Sequence, residues 1–220
     1  KRPEVSELVA MIFSEAFHLD FQLRNIFIAA ELEAGEAMPS IEHVEVTSVI
    51  RGVLDNFRTH AANKQVSVRF SVAGSETDTL LYFPTDSQKL QVIVANLVAN
   101  AVEFSGPGSE VVVQLEQTEE GLVIQVRDQG VGIAEADLKR IFDRFVQLDI
   151  GPTRAHLGHG LGLSVVKSLL DLLQGNIQVS STPSVGSLFT VMLPAAVYGS
   201  DGITFAEGGN LFLFGQLDEK

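Results

Sequence analysis

The chain has 220 residues, enough for one medium domain with an appendage, and is 45% hydrophobic, which supports a core without covalent staples. A formal net charge of −13 denies it the basic footprint of non-specific nucleic-acid binding, and the absence of cysteine excludes disulfides and thiolate metal sites. No uncharged apolar run is long enough to cross a bilayer, and acids stand where a secretion signal needs an apolar stretch; the sequence reads as cytoplasmic and makes no membrane contact itself, though a parent protein could be attached elsewhere.

Residues 4–35 carry helical periodicity. Val5, Val9, Ile12, Ala16, Leu19, Leu23, Ile26 and Ala30 form a heptad seam, with Phe13, Phe17 and Phe21 as a stripe beside it. Two apolar stripes predict a helix with more than one partner, as in a four-helix bundle; a helix lying on its own domain is the plainer alternative. Gly35 and Pro39 end it, and a second helix is expected over Val46–Asn63. Residues 66–72 alternate and are β-branched, so they read as a strand, returning after a turn at 74–78 as a strand over 79–83. Pro84 is expected to open a helix over 86–104, stopped by Gly106-Pro107-Gly108. Strands over 110–117 and 122–128 follow, then a short helix over 135–146 and a polar, Gly-rich loop over 149–160. A helix over 162–173 and a hairpin of 176–181 with 187–194 complete the domain. This order predicts an α+β fold: a two-layer α/β sandwich with a mixed five-stranded sheet, helices on one face and an N-terminal bundle helix. Residues 195–220 stand apart and are read as an extension, possible as a hairpin turning at Gly208-Gly209.

Three constellations carry chemistry. Asn96 and Asn100 lie four apart and share one helix face; a carboxamide oxygen is a neutral hard ligand suited to Mg²⁺ beside phosphate oxygens. The same pair could equally be core amides or an exposed polar stripe. Asp128-Gln129-Gly130-Val131-Gly132-Ile133 follows a strand directly. Its carboxylate can accept a hydrogen bond from an exocyclic amine such as adenine N6, and its glycines let backbone approach a flat ring, although an ordinary strand-to-turn junction looks similar. Gly158-His159-Gly160-Leu161-Gly162-Leu163 opens a helix, where backbone N–H groups can converge on phosphate. No Gly-Lys-Ser/Thr follows, so it is not a P-loop; a hinge would look the same.

Taken in order, NLxxNA, DxGxGI, IFDRF (141–145) and GxGLGL resemble the N, G1, F and G2 boxes of sensor histidine kinase ATP-binding domains. The resemblance covers about residues 4–194, with residues 1–40 similar to the second helix of the dimerisation and phosphotransfer bundle and 41–194 to the catalytic domain. It implies ATP and Mg²⁺ as cofactors. Asn100 would ligate Mg²⁺, Asn96 would support metal or phosphates, Phe104 would stack on adenine and Asp128 would read its amine. Gly130, Gly132 and Ile133 would line the base; Gly158, His159, Gly160, Leu161, Gly162 and Leu163 would cover the phosphates. Loop 149–160 would be the lid, anchored by Phe142 and Phe145, with Arg154 the candidate catalytic contact to the γ-phosphate. Implied partners are a phosphoacceptor helix of the same kinase, a response regulator, and a second copy through residues 4–35.

The sequence departs from the family in several places. Glu103 stands where a phosphate-reaching lysine is usual, and its charge would repel a triphosphate unless Lys139, Arg140 or Arg144 compensates. Leu188 stands at a common threonine, and Leu157 at a lid glycine. None of His18, His43, His60, His156 and His159 has the acid-Leu-Arg-Thr-Pro context of the phosphoacceptor, which is therefore expected outside this chain. Two alternatives stay open: a degenerate nucleotide-binding signalling domain, or a gyrase- or HSP90-type ATPase. The latter uses a glutamate as general base where this chain has Asn96.

Overall fold

The computed structural model describes residues 2–74, 79–147, 160–199 and 202–205. The N-terminal helix α1 runs over Arg2–Ala34 and stops at Gly35. The domain then contains β1 (Glu42–Glu45), α2 (Val46–Asn63), β2 (Ser67–Val72), β3 (Tyr82–Thr85) and α3 (Ser87–Phe104). It continues with β4 (Glu110–Gln117), β5 (Gly121–Arg127), α4 (Gly162–Leu172), β6 (Asn176–Thr182) and β7 (Gly186–Pro194).

Five strands form one mixed sheet in the order β2-β4-β5-β7-β6, with β2 parallel to β4 and the other neighbours antiparallel. Alternation sets one face inward: Val111, Val113, Leu115, Leu122, Ile124, Val126, Val191 and Leu193 are all buried. Onto that face pack the apolar stripes of α2 (Ile50, Val53, Phe57), α3 (Leu90, Ile93, Val94, Leu97, Val98) and α4 (Val165, Val166, Leu169, Leu170), giving the expected two-layer α+β sandwich. Asp86 caps α3, its Oδ1 accepting from the Lys89 N–H at 3.0 Å. That carboxylate also accepts from Ser40 N–H at 2.8 Å and from Lys89 Nζ at 2.6 Å, fastening the connector after α1 to the start of α3.

Three expectations need correction, and a fourth is untested. Residues 66–72 and 79–83 do not form a hairpin: β2 pairs with β4, while β3 pairs with β1. Pro84 lies inside β3, opposite His43, and α3 begins at Ser87. The stretch 135–146 is two 3-10 turns, Glu135–Asp137 and Arg140–Phe142, because Ile141 alone within it is buried and no apolar stripe supports a longer helix. The C-terminal extension does contain a hairpin, of β8 (Ala196–Gly199) with β9 (Gly202–Phe205); Gly208-Gly209 lies outside the described residues.

The two stripes of α1 part company. Phe17, Phe21, Ile28, Ala29 and Leu32 pack against the domain, with the Phe17 and Phe21 rings edge-on to Phe57 at 5.3 and 5.9 Å. Val9, Ile12, Leu19, Leu23 and Ile26 of the heptad seam are exposed. The helix therefore lies on its own domain by one stripe and offers the other outward. The side chains of Val5, Phe13 and His18 lie outside the described residues. No described helix is long and apolar enough to cross a membrane.

Candidate functional site

One cavity of about 240 Å³ gathers most of the described candidate residues. Its wall includes Asn96, Asn100 and Phe104 from α3, Asp128, Gly132 and Ile133 after β5, and Gly160 to Leu163 at the head of α4. Gly130 is not in that wall; its N–H binds the Asp128 carboxylate. Residues 149–159 of the expected lid, with Arg154, Gly158 and His159, lie outside the described residues.

Asp128 is buried at the end of β5. Its Oδ1 accepts from the Gly130 N–H at 2.8 Å and the Ser187 N–H at 3.1 Å. Burial pushes its carboxyl above the ordinary aspartate value, against the opposing pull of those N–H groups and the Ser187 hydroxyl. A carboxylate held desolvated in a cavity wall is poised to recognise a donor. The hydroxyl beside it belongs to Ser187; Leu188, where a threonine is usual, lies one residue further along β7 and points to the other face.

The glycines that follow serve the protein's own backbone. A Cβ on Gly130 would stand 2.4 Å from the Phe104 carbonyl oxygen. Gly132 has φ +68°, and a Cβ there would stand 2.1 Å from the Thr182 carbonyl oxygen. Their place in the motif therefore follows from wedging the loop between the end of α3 and the β6–β7 turn. That wedging is what brings Ile133 and Phe104 to one wall.

On α3, the two amides have different fates. Asn100 is half-buried in the cavity wall, and no hydrogen bond to its side chain is present among the described residues. Asn96 is buried, and its amide forms a reciprocal pair with Asn25 of α1, 2.9 Å in each direction, while also donating to the Val92 carbonyl at 2.9 Å. Gly162 begins α4 directly against it: a Cβ there would be 2.7 Å from Asn96 Oδ1. The N-cap of α4, Leu161, makes no side-chain capping bond, and Leu161, Gly162 and Leu163 all line the cavity. An uncapped helix start with an amide oxygen nearby suits a phosphate chain carrying a hard divalent cation. Among the described residues no cluster of three His, Cys, Asp or Glu exists, so a cation here would rely on the Asn100 oxygen and on ligand oxygens.

Glu103 also lines the cavity, and its carboxylate is paired by a cation that the sequence did not single out. Lys64, at the C-cap of α2, lies 3.0 Å from its carboxylate, and His60 Nε2 is 3.6 Å away. Of the cations expected to compensate, Arg140 pairs with Asp137, and Arg144 pairs with Glu33 of α1. Phe142 packs against the core as an anchor would, whereas the Phe145 ring is 72% exposed and only its main chain, donating to the Gly160 carbonyl at 2.9 Å, ties the loop ends together. Ser187, Asn25 and His60 line the cavity, and Lys64 lies beside Glu103; the sequence did not disclose them. Their motif-free positions carry no local signal.

Residues 85–197 match the family described as histidine kinase-, DNA gyrase B- and HSP90-like ATPases. The sensor-like histidine kinase SenX3 of Mycobacterium tuberculosis is 31% identical over 193 residues, 88% of this chain and 46% of that protein. The chain thus spans about half the length of the curated relatives it matches. Full-length ShkA, solved with AMPPNP, superposes with a TM-score of 0.70 at 25% identity over 90% of this chain and 40% of that one. The mycobacterial sensor histidine kinase MprB gives 0.59 at 27% identity, covering 71% of this chain and 98% of its own.

Proposed function

Because the chain belongs to the histidine kinase-, DNA gyrase B- and HSP90-like ATPase family, as the ATP-binding module of a sensor histidine kinase, we propose that residues 41–194 bind Mg²⁺–ATP and deliver its γ-phosphoryl group to a histidine on a bundle helix outside this chain. Residues 1–40 serve as the second helix of that bundle, and a response regulator takes the phosphoryl group onward.

The observation that carries this reading is one cavity shared by a buried, desolvated Asp128, the available amide of Asn100 and the uncapped start of α4. Asp128 accepts a hydrogen bond from the adenine amine, and Phe104 and Ile133 flank the base with apolar surface. The N–H groups at Gly162 and Leu163 face the phosphates. Asn100 would hold Mg²⁺, and the ion would supply neutralisation of charge on the phosphate oxygens. Catalysis is then mostly positioning, since phosphoryl transfer asks little covalent chemistry of the protein. Asn96 occupies the place where a hydrolytic relative carries a glutamate base, and its amide can take no proton, which favours transfer over hydrolysis.

Titration calorimetry with ATP and Mg²⁺, followed by incubation with a supplied histidine-bearing helix, tests the proposal. Binding followed by transfer is expected. Binding without transfer would leave a signalling domain that holds nucleotide but is no kinase, and no binding would remove the nucleotide site altogether.

A further inference from the structure

The Asn25–Asn96 pair joins two parts of the chain that the sequence keeps apart. Asn25 sits between the two outer attachments of α1: Phe17 and Phe21 on Phe57, and Glu33 on Arg144. It is 6% exposed and Asn96 is 2% exposed, so the pair is closed to water. Both hydrogens of the Asn96 amide are spent, one on Asn25 Oδ1 and one on the Val92 carbonyl, and its oxygen accepts from Asn25 Nδ2. In this arrangement the Asn96 amide has no N–H left for a phosphate, and its oxygen already accepts one hydrogen bond. Phe17, Phe21 and Gln22 of the same helix line the same cavity, so docked α1 also narrows it. Gly162 lies against the Asn96 oxygen, so a shift of that amide is felt at once by the helix start that faces the phosphates.

We propose that Asn25 is a positioning residue for the nucleotide site, pairing with Asn96 so that docking of α1 and binding of Mg²⁺–ATP oppose each other. The proposal rests on the Mg²⁺–ATP reading above. A buried amide is not left unpaired, so Asn96 releases Asn25 when a phosphate replaces it, and takes Asn25 back when the nucleotide leaves. Coupling of this kind is reciprocal: whatever draws α1 away raises nucleotide affinity, and nucleotide loosens α1 by the same factor. A bundle helix displaced by an upstream signal would thereby open the site.

The test uses the full chain with Mg²⁺–ATP and with adenosine, which carries no phosphate to reach Asn96. Asn25→Ala is expected to raise Mg²⁺–ATP affinity by about fivefold and leave adenosine unchanged. Glu33→Gln, which loosens α1 from its far end without touching the cavity, should act in the same direction and guards against a misfolded Asn25 variant. In the wild-type chain, saturating Mg²⁺–ATP should speed amide hydrogen exchange over residues 20–34. Unchanged or weakened Mg²⁺–ATP binding in both folded variants, or equal changes for adenosine, would overturn the coupling while leaving the nucleotide site standing. No binding of Mg²⁺–ATP by any form would overturn the nucleotide reading itself, and the coupling with it.

Discussion

Lys64 closes α2 with its ammonium 3.0 Å from the Glu103 carboxylate of α3, and it also donates to the Glu103 main-chain carbonyl. Both side chains are about one quarter exposed, so solvent screens the pair only partly. The contact pairs a carboxylate that lines the cavity. Lys64→Met should lower stability by about 1 kcal/mol, the upper end for exposed pairs, and weaken ATP by about fivefold as Glu103 turns its charge on the phosphates. Adding Glu103→Gln to Lys64→Met should restore ATP affinity in titration; a double variant as weak as the single one would mean that Lys64 acts on the nucleotide by another route.

Asp128 is predicted to trade stability for recognition. Its folded carboxyl titrates above the ordinary value of 3.8, so its charge costs stability at neutral pH and the cost is relieved as pH falls through that raised value. An asparagine oxygen can still accept from the Gly130 and Ser187 N–H groups. Asp128→Asn should therefore keep or raise the melting temperature while losing a charged hydrogen bond of roughly 1.5–3 kcal/mol to the adenine amine. ATP affinity should drop about tenfold or more, and GTP affinity should hardly change. A destabilised variant with equal losses for both nucleotides would mark Asp128 as a structural residue.

Asp86 carries the opposite sign. Burial alone would raise its carboxyl, but Lys89 and the N–H groups of Lys89 and Ser40 outweigh it, and the net shift is downward from 3.8. Its contribution is therefore fully present above the unfolded value and is lost as pH falls through the lower folded one. Asp86→Asn keeps a good cap without the charge, so its acid-unfolding curve should be flatter than the wild type's below about pH 4. Parallel acid limbs for the two proteins would disprove the assignment.

For Asn100, the expected loss is confined to the metal. Its side chain leaves no buried charge or broken hydrogen bond behind, so Asn100→Ala should melt as the wild type does. Mg²⁺ should then no longer strengthen ATP binding in titration. An intact Mg²⁺ dependence in the variant would assign the cation to other ligands.

What could be read from the sequence divides along local and non-local lines. The helix α2 matches Val46–Asn63 to the residue, because its apolar stripe, the Glu45 cap and the turn at Lys64-Gln65 are all written locally. The strands β4 to β7 are equally plain from alternation. The strand β1 is hidden: of Glu42-His43-Val44-Glu45 only Val44 is buried, and four residues with three polar ones show no period. The partner of β2 is hidden too, since a parallel pairing to a strand beyond α3 leaves no turn signature. At the site, Asn96 and Asp128 announce themselves by motif. Asn25 does not, because an asparagine off the heptad seam looks like a solvent-facing residue until its partner on α3 is placed beside it.

The last prediction concerns the outward stripe of α1. Leu19, Leu23 and Ile26 follow the 4-3 spacing that a neighbouring helix would cover, with Phe27 beside Ile26, and the four are 42–66% exposed. Burying a fully exposed side chain of this kind contributes roughly 1.5–3 kcal/mol, and these start about half exposed, so each adds roughly half of that. Four together reach the lower end of the estimated 4–15 kcal/mol cost of association, so self-association should be concentration-dependent rather than obligate. The inner stripe is already engaged by Phe57, which leaves the outer one free to pair without undocking the helix. Light scattering should show the full chain passing from monomer to dimer across the micromolar range. Leu19→Gln, Leu23→Gln and Ile26→Gln together should keep the helix and hold the chain monomeric. A wild-type chain that stays monomeric throughout, or a triple variant that still dimerises, would show that this stripe is not where two copies meet.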